Sequence, residues 1–200
     1  MAATFNNNSG LKAGRDINQV AGNMTVQARD SDPRPSPWSD TGNGAAVETS
    51  TRVFITYRRD DTAGDAGRLY DSLTRRFGDG SVFMDAEGIQ PGQEFGQVIR
   101  ETIEKSDVVL VLIGRRWANA TDASGRRRLA NPDDWVRREI EAALDLDVAL
   151  VPILVHGAPM PAREELPPSI QPLAGFHAFK IGDYWQGDID RLADAIRRLG

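Results

Sequence analysis

The strongest constraint on the fold is an almost continuous apolar run, DVVLVLIG, at residues 107–114. A run of this kind has no polar face, so it predicts a strand that is covered on both sides, as in a parallel sheet. Shorter β-rich runs precede and follow it, and each is separated from the next by a segment with helical spacing of apolar residues. This alternation predicts an α/β fold with a parallel, doubly wound sheet.

The pattern predicts five strands and four helices from residue 52 onward. Helical stripes support the helices, and the last of them carries Ile189, Leu192, Ala193, Ile196 and Leu199. In parallel sheets, ligands bind beyond the carboxyl ends of the strands, so residues that directly follow strands are the first site candidates. The strands are expected at 52–57, 81–84, 107–114, 148–154 and 176–181, and the helices at 62–77, 94–105, 132–146 and 188–199.

Residues 1–50 differ in character, because they are rich in Asn, Ser, Gly, Asp and Pro and poor in large apolar side chains. We expect a mostly disordered, flexible N-terminal segment there, with a Pro-rich linker at 30–50. Residues 10–27 are proline-free and mix aliphatic residues with Asn and Gln, a composition typical of segments that stack as cross-β. Their glycines weaken a strand, and a plain disordered tail is the alternative.

Composition argues against several classes of protein. The net charge of −5 is unlike the basic footprint of a nucleic-acid binder. The chain has no cysteine and only two histidines without ligand spacing, so we expect no metal site. The start lacks a secretory signal and no apolar run is long enough to span a membrane, so we expect a cytoplasmic protein that does not bind membranes. The glycine motifs of dinucleotide-binding dehydrogenases and P-loop NTPases are missing.

Three sequence blocks carry a family resemblance. They are VFITYRRD at 53–60, VFMDAEGIQPGQEF at 82–95 and DWVRREIE at 134–141. In this order and spacing they resemble the TIR (Toll/interleukin-1 receptor) domain of the bacterial, NAD+-cleaving type. The resemblance covers about residues 52–199, and it implies a flavodoxin-like TIR fold over 51–200, with a five-stranded parallel sheet flanked by helices. Thr56 stands where the family usually has Ser, but Thr keeps the hydroxyl group.

The resemblance implies an enzyme, an NAD+ nucleosidase that cleaves the nicotinamide–ribose bond. NAD+ would be the substrate, and no resident cofactor is expected. Glu139 matches the catalytic glutamate, and Trp135, four residues earlier, shares its helix face. A carboxylate beside the ribose would stabilise the positive charge of an oxocarbenium-like transition state. The alternative for Glu139 is a solvent-facing carboxylate paired with Arg137, Arg138 or an arginine of the preceding loop.

Tyr57, Arg58 and Arg59 directly follow the first predicted strand. By resemblance they line the NAD+ site, where an aromatic ring can stack and guanidinium groups can contact a diphosphate. For Arg59, an ion pair with Asp60 or Asp61 is the alternative.

The resemblance also assigns roles to residues in two loops. Trp117 follows the third strand and is expected as a stacking surface of the NAD+ site, unless it only covers the sheet edge. Asp85 is expected to contact substrate, unless it only caps a turn. Gly88, Pro91 and Gly92 belong to the loop that, in the family, packs against a neighbouring TIR domain.

Such TIR enzymes gain activity on assembly, so the resemblance implies self-association into an oligomer or filament. The setting implied is a bacterial immune or cell-death effector in antiviral defence, signalled by a sensor protein whose N-terminal motif matches the segment at 10–27. A non-catalytic TIR–TIR signalling adaptor is the alternative, although adaptors generally lack the Trp-xxx-Glu arrangement. Hydrolysis to ADP-ribose and cyclisation of ADP-ribose both remain open, since water access to the ribose decides between them.

Overall fold

A computed structural model of the chain describes residues 51–84 and 95–199, with side chains from residue 98 onward in the second range. The N-terminal segment 1–50, with its expected linker and its stacking segment at 10–27, lies outside the described residues. Asp85 and the expected assembly-loop residues Gly88, Pro91 and Gly92 lie outside them as well.

The described residues form a five-stranded sheet in the order β2-β1-β3-β4-β5, and every strand pair is parallel. This is the flavodoxin-like strand order, so the predicted fold class is confirmed. All six residues of the third strand are buried, as the continuous apolar run predicted. The strands are β1 (Val53–Thr56), β2 (Val82–Met84), β3 (Val108–Ile113), β4 (Ala149–Leu154) and β5 (Phe179–Lys180).

Four α-helices connect or follow these strands, and short 3-10 turns occur in the loops after β3 and β4. Apolar residues three and four apart explain why these segments form helices and which side of each helix faces the sheet. The helices are α1 (Arg59–Phe77), α2 (Phe95–Glu104), α3 (Trp135–Asp145) and α4 (Trp185–Arg197).

Several predicted boundaries are wrong by a few residues. Helix α3 begins at Trp135 rather than at 132, because the Asp134 side chain accepts a hydrogen bond from the Arg137 N–H and caps the helix there. Helix α4 ends at Arg197, so Leu199 lies half exposed beyond it and not in the core. Strand β5 has only two residues, which is shorter than the predicted run at 176–181.

The helices cover the two faces of the sheet in separate layers. Successive side chains of a strand point to opposite faces, and Phe54 and Ile55 of β1 accordingly enter different cores. Ile55 packs in the layer that α1 and α4 cover, whereas Phe54 packs in the layer that α2 and α3 cover. The residues that follow β1 and β3 therefore meet at the edge where the chain leaves toward opposite faces, which is where ligands bind in this fold. No helix in the described part of the chain is long and apolar enough to cross a membrane.

Candidate functional site

Glu139 occupies an unusual place for a carboxylate, in the second turn of α3 and on the side that faces the core. It is only 1% exposed and shares the buried stripe of the helix with Val136, Ile140 and Ala143. Glutamate is rarely found fully buried, and in a poorly screened environment its charge acts strongly on whatever lies beside it. The side chain therefore does not face solvent, as the alternative interpretation required.

The other carboxylate of this helix behaves differently. Glu141 is partly exposed, and its Oε1 lies 2.8 Å from Nε of Arg137 and also accepts a hydrogen bond from the Ser169 hydroxyl. Arg138, another arginine considered as a partner of Glu139, places its guanidinium 5.7 Å from the ring centroid of half-buried Trp135. The two arginines of this turn are therefore engaged with Glu141 and Trp135.

A buried ion pair joins the end of β1 to the start of α3. Arg58 is 1% exposed, and its Nη1 and Nη2 donate to Oδ2 and Oδ1 of Asp134 at 3.0 and 2.9 Å. The Arg58 Nε donates to the backbone carbonyl of Trp117 at 3.0 Å, so the loop after β3 is attached as well. A bidentate guanidinium–carboxylate contact of this kind is strong and fixes the relative geometry of both groups.

This pair extends toward the surface through one more arginine. Arg128 lies in the 3-10 turn Arg128–Ala130, and its Nε is 3.4 Å from Oδ2 of Asp134. Its Nη1 is 3.3 Å from Oδ2 of Asp60 in the first turn of α1.

We call Arg58, Asp134 and Glu139 the buried cluster, because all three are charged side chains enclosed at or near the start of α3.

The remaining predicted site residues are not all brought together. Trp117 is fully buried in the core layer under α2 and α3, and it exposes no ring face for stacking in this structure. Tyr57 is also buried, but it packs in the opposite layer, under α1 and α4. Arg59 begins α1 at the surface. The aspartates proposed as its alternative partners make ion pairs with other arginines, Asp60 with Arg128 and Asp61 with Arg116.

Sequence reasoning missed a second charged feature, a cleft of about 980 Å³ at the carboxyl ends of β3, β4 and β5. Glu139 is not among its lining residues. The sequence does contain a signal for this cleft. Arg115, His156 and Gly182 come just after these three strands, at the edge where ligands bind in such sheets. We call it the surface cleft, and its lining residues include Asp61, Asp65, Arg68, Arg115, Arg116, His156, Asp183 and Trp185.

Two contacts in the surface cleft join an exposed cationic or imidazole side chain to an aspartate. Nε2 of His156 lies 2.7 Å from Oδ2 of Asp65, and Nε of Arg116 lies 3.7 Å from Oδ1 of Asp61. The side chains of His156 and Arg116 are 58% and 70% exposed. Within the described residues, no group of His, Cys, Asp and Glu is arranged to hold a metal ion.

Comparison with known proteins identifies relatives of this fold and sequence. The sequence model of the family described as TIR domain matches residues 53–198. The chain is 31% identical over 148 residues to NAD(+) hydrolase sarm1 of Drosophila melanogaster, a match that covers 72% of this chain. It spans only 10% of the length of that relative.

The TIR fold is also found in a solved structure, and a further structure shows a weaker similarity. The TIR domains of the activated Roq1 resistosome directly recognizing the pathogen effector XopQ match with a TM-score of 0.51 and 16% identity, over 74% of this chain and 98% of that one. A metazoan TIR-STING receptor from C. gigas in complex with 2′,3′-cGAMP is 25% identical, with a TM-score of 0.44, over 72% of this chain and 38% of that one.

Proposed function

Since this chain belongs to the TIR domain family, we propose that it cleaves NAD+ at the nicotinamide–ribose bond, with Glu139 as the catalytic carboxylate. The observation that carries the proposal is the burial of Glu139 in the core-facing stripe of α3, where a structural role would favour an apolar residue. The similarity to an NAD+ hydrolase over 72% of the chain supports it. NAD+ is the substrate in this proposal, and no resident cofactor takes part.

The chemistry needs little beyond one well-placed carboxylate. The bond between C1′ of the ribose and the nicotinamide nitrogen breaks, and its electron pair leaves with nicotinamide, which becomes neutral without receiving a proton. Positive charge develops on the ribose, and the Glu139 carboxylate stabilises it. Water then adds at C1′ and loses a proton, which gives ADP-ribose. If water is excluded, a ring nitrogen of the adenine can attack C1′ instead and give a cyclic product.

The burial of Glu139 also bears on regulation. Because the carboxylate is only 1% exposed, NAD+ can reach it only after the site opens. We propose that self-association of TIR domains into an oligomer or filament provides this opening, and that a sensor protein acting on residues 1–50 triggers it. The biological role proposed is a bacterial immune or cell-death effector that lowers cellular NAD+ in antiviral defence, and this setting is expected to be cytoplasmic.

The test is NAD+ consumption by the purified full-length chain at high concentration, with products separated by chromatography. Glu139→Gln keeps the size of the side chain and removes its charge, and we expect it to lower nicotinamide release by at least about 100-fold. Glu141→Gln is the matched control on the same helix, and we expect it to retain activity because the Glu141 carboxylate is partly exposed and contacts Arg137 and Ser169. The product peaks then distinguish hydrolysis from cyclisation.

One outcome would replace this proposal. The full-length chain can also be tethered to vesicles, which raises its local concentration toward the millimolar range. If it releases no nicotinamide even then, the non-catalytic TIR–TIR adaptor becomes the better description. Equal activity of the Glu139→Gln variant and the wild type would retain an enzyme but remove Glu139 from its mechanism.

A further inference from the structure

We infer that Arg58 is a positioning residue and not a substrate ligand, and that it acts through Asp134 to fix the start of α3 and with it Glu139. The inference rests on the proposed function for its kinetic consequences. It reverses the expectation that both arginines after β1 contact NAD+.

The first argument is that the Arg58 guanidinium is already committed and enclosed. Its Nε donates to the Trp117 carbonyl, and both terminal nitrogens donate to the Asp134 carboxylate, at 2.9 to 3.0 Å. The side chain has no exposed surface. A diphosphate could reach this guanidinium only if the ion pair separated, which would leave the buried Asp134 carboxylate without its bidentate partner and with the longer contact to Arg128 at 3.4 Å, an unfavourable exchange.

The second argument is that Asp134 carries two tasks with one carboxylate. Its Oδ1 caps α3 by accepting from the Arg137 N–H at 3.2 Å, and the same atom accepts from Nη2 of Arg58. The cap alone would fix the helix end but not its direction relative to the sheet. The bidentate contact with Arg58 also fixes the direction of α3 relative to the sheet, because Arg58 lies just after the end of β1.

The third argument is the short path from this contact to the carboxylate. Glu139 lies five residues after Asp134, which is about 7.5 Å along a helix axis. If the first turn of α3 tilts slightly, the Glu139 carboxylate therefore shifts by a fraction of an ångström. Catalysis is sensitive at that scale, since a misplacement of about 1 Å can lower a rate by about 100-fold.

Arg59 offers the contrast within the same dipeptide. It is exposed at the first residue of α1, whereas Arg58 is enclosed. Two consecutive arginines therefore have different surroundings, and only Arg59 lies where a diphosphate can approach without breaking the buried pair. We expect substitutions of the two residues to affect different kinetic constants.

The kinetic test uses the double variant Arg58→Met with Asp134→Asn in the full-length chain. Methionine fills the volume, asparagine still caps a helix, and both charges leave together, so we expect the chain to fold. We expect kcat to fall by about 100-fold while KM changes by less than about threefold. Arg58→Lys should also lower kcat, because an ammonium group cannot form the bidentate contact. Arg59→Ala should instead raise KM with a smaller change in kcat.

A second measurement does not depend on activity. Hydrogen exchange at the amides of Arg137 and Arg138, in the first turn of α3, should be about tenfold faster in the double variant than in the wild type. Exchange in α4 serves as the internal control and should be unchanged.

The outcomes separate the two proposals. If the wild type cleaves no NAD+, the proposed function fails, and hydrogen exchange still decides whether Arg58 holds the start of α3. Unchanged exchange in the double variant overturns the inference. So does a raised KM with an unchanged kcat for Arg58→Lys, because that result would place Arg58 on the substrate.

Discussion

The buried cluster and the surface cleft lie at the same edge of the sheet and contain the same kinds of side chain, but they differ in their access to water. In the buried cluster, Arg58 and Asp134 form a bidentate contact with almost no exposed surface. In the surface cleft, His156 and Arg116 reach their aspartates from largely exposed positions. Pairs of opposite charge at one edge of the sheet therefore have different energetic consequences, because solvent reaches the exposed His156 and Arg116 side chains but not the Arg58 side chain.

The comparison also indicates where chemistry can be done. Water and salt screen the charge of a carboxylate at the surface cleft, so its electrostatic effect decays within about 8 to 10 Å at physiological ionic strength. Glu139 is enclosed, so its charge is available to a bound substrate with less screening. The buried cluster is therefore the better candidate for catalysis, although the surface cleft is the region that is open to solvent.

Arg58→Ala should separate the two regions most clearly. It leaves Asp134 charged, buried and without its bidentate partner, so we expect the free energy of unfolding to fall by about 3 to 5 kcal/mol. Urea unfolding followed by far-UV circular dichroism measures it. Arg116→Ala is the control in the surface cleft, and a loss of similar size there would contradict the distinction drawn between the two regions.

Asp188 tests a carboxylate beneath the surface cleft through its pH dependence. The Gly182 N–H donates to it at 2.7 Å and Arg191 pairs with it, and both contacts hold its pKa below the ordinary value of 3.8. A lowered pKa stabilises the folded chain above the unfolded pKa, and this stabilisation is lost as the pH falls through the folded pKa. The wild type should thus exceed Asp188→Asn in stability at neutral pH, and the difference should shrink below about pH 3.8.

The measurement is the midpoint of urea unfolding for both chains between pH 7 and pH 2. A difference between wild type and Asp188→Asn that stays constant over this range would show that the carboxylate charge is not what stabilises the start of α4.

Asp65→Asn should give the smallest effect. It removes the carboxylate charge opposite Nε2 of His156, whose side chain is 58% exposed, and contacts with an exposed partner contribute at most about 1 kcal/mol. We expect a change in the free energy of unfolding below that value, and a smaller one at high salt when the imidazole is protonated. Thermal unfolding at low and high salt measures it, and a larger loss would mean that the surface cleft is less solvated than its exposure indicates.

Most of the fold could be predicted because its signals are local. The apolar run of β3 specifies its element by its continuity and short length, and the stripe of α4 specifies its element by helical periodicity. The extent of β5 could not be predicted, since a two-residue segment has no period to detect, and the strand occupies only part of the run expected at 176–181. The first residue of α3 was also missed, because Pro132 is an equally good starting signal and only the Asp134 cap decides between them.

The site was less predictable because its contacts are distant in sequence. Glu139 was found through the resemblance and its spacing from Trp135, and its catalytic role stays a prediction. The environment of Arg58 could not be anticipated, because its partner Asp134 is 76 residues away and no local pattern announces the pair. The burial of Trp117 has the same cause, since packing by distant elements decides whether a ring after a strand is exposed or enclosed.

The sheet has its shortest strands at its two margins. Among the strands of the described residues, β2 with three residues and β5 with two form the outer positions, whereas the central β3 has six. Short edge strands offer few unpaired backbone groups to a foreign strand, so they discourage aggregation by edge-to-edge pairing. A protein proposed to work at high local concentration thereby gains a safeguard: its copies can crowd together through helices and loops without their sheets fusing into a continuous fibre.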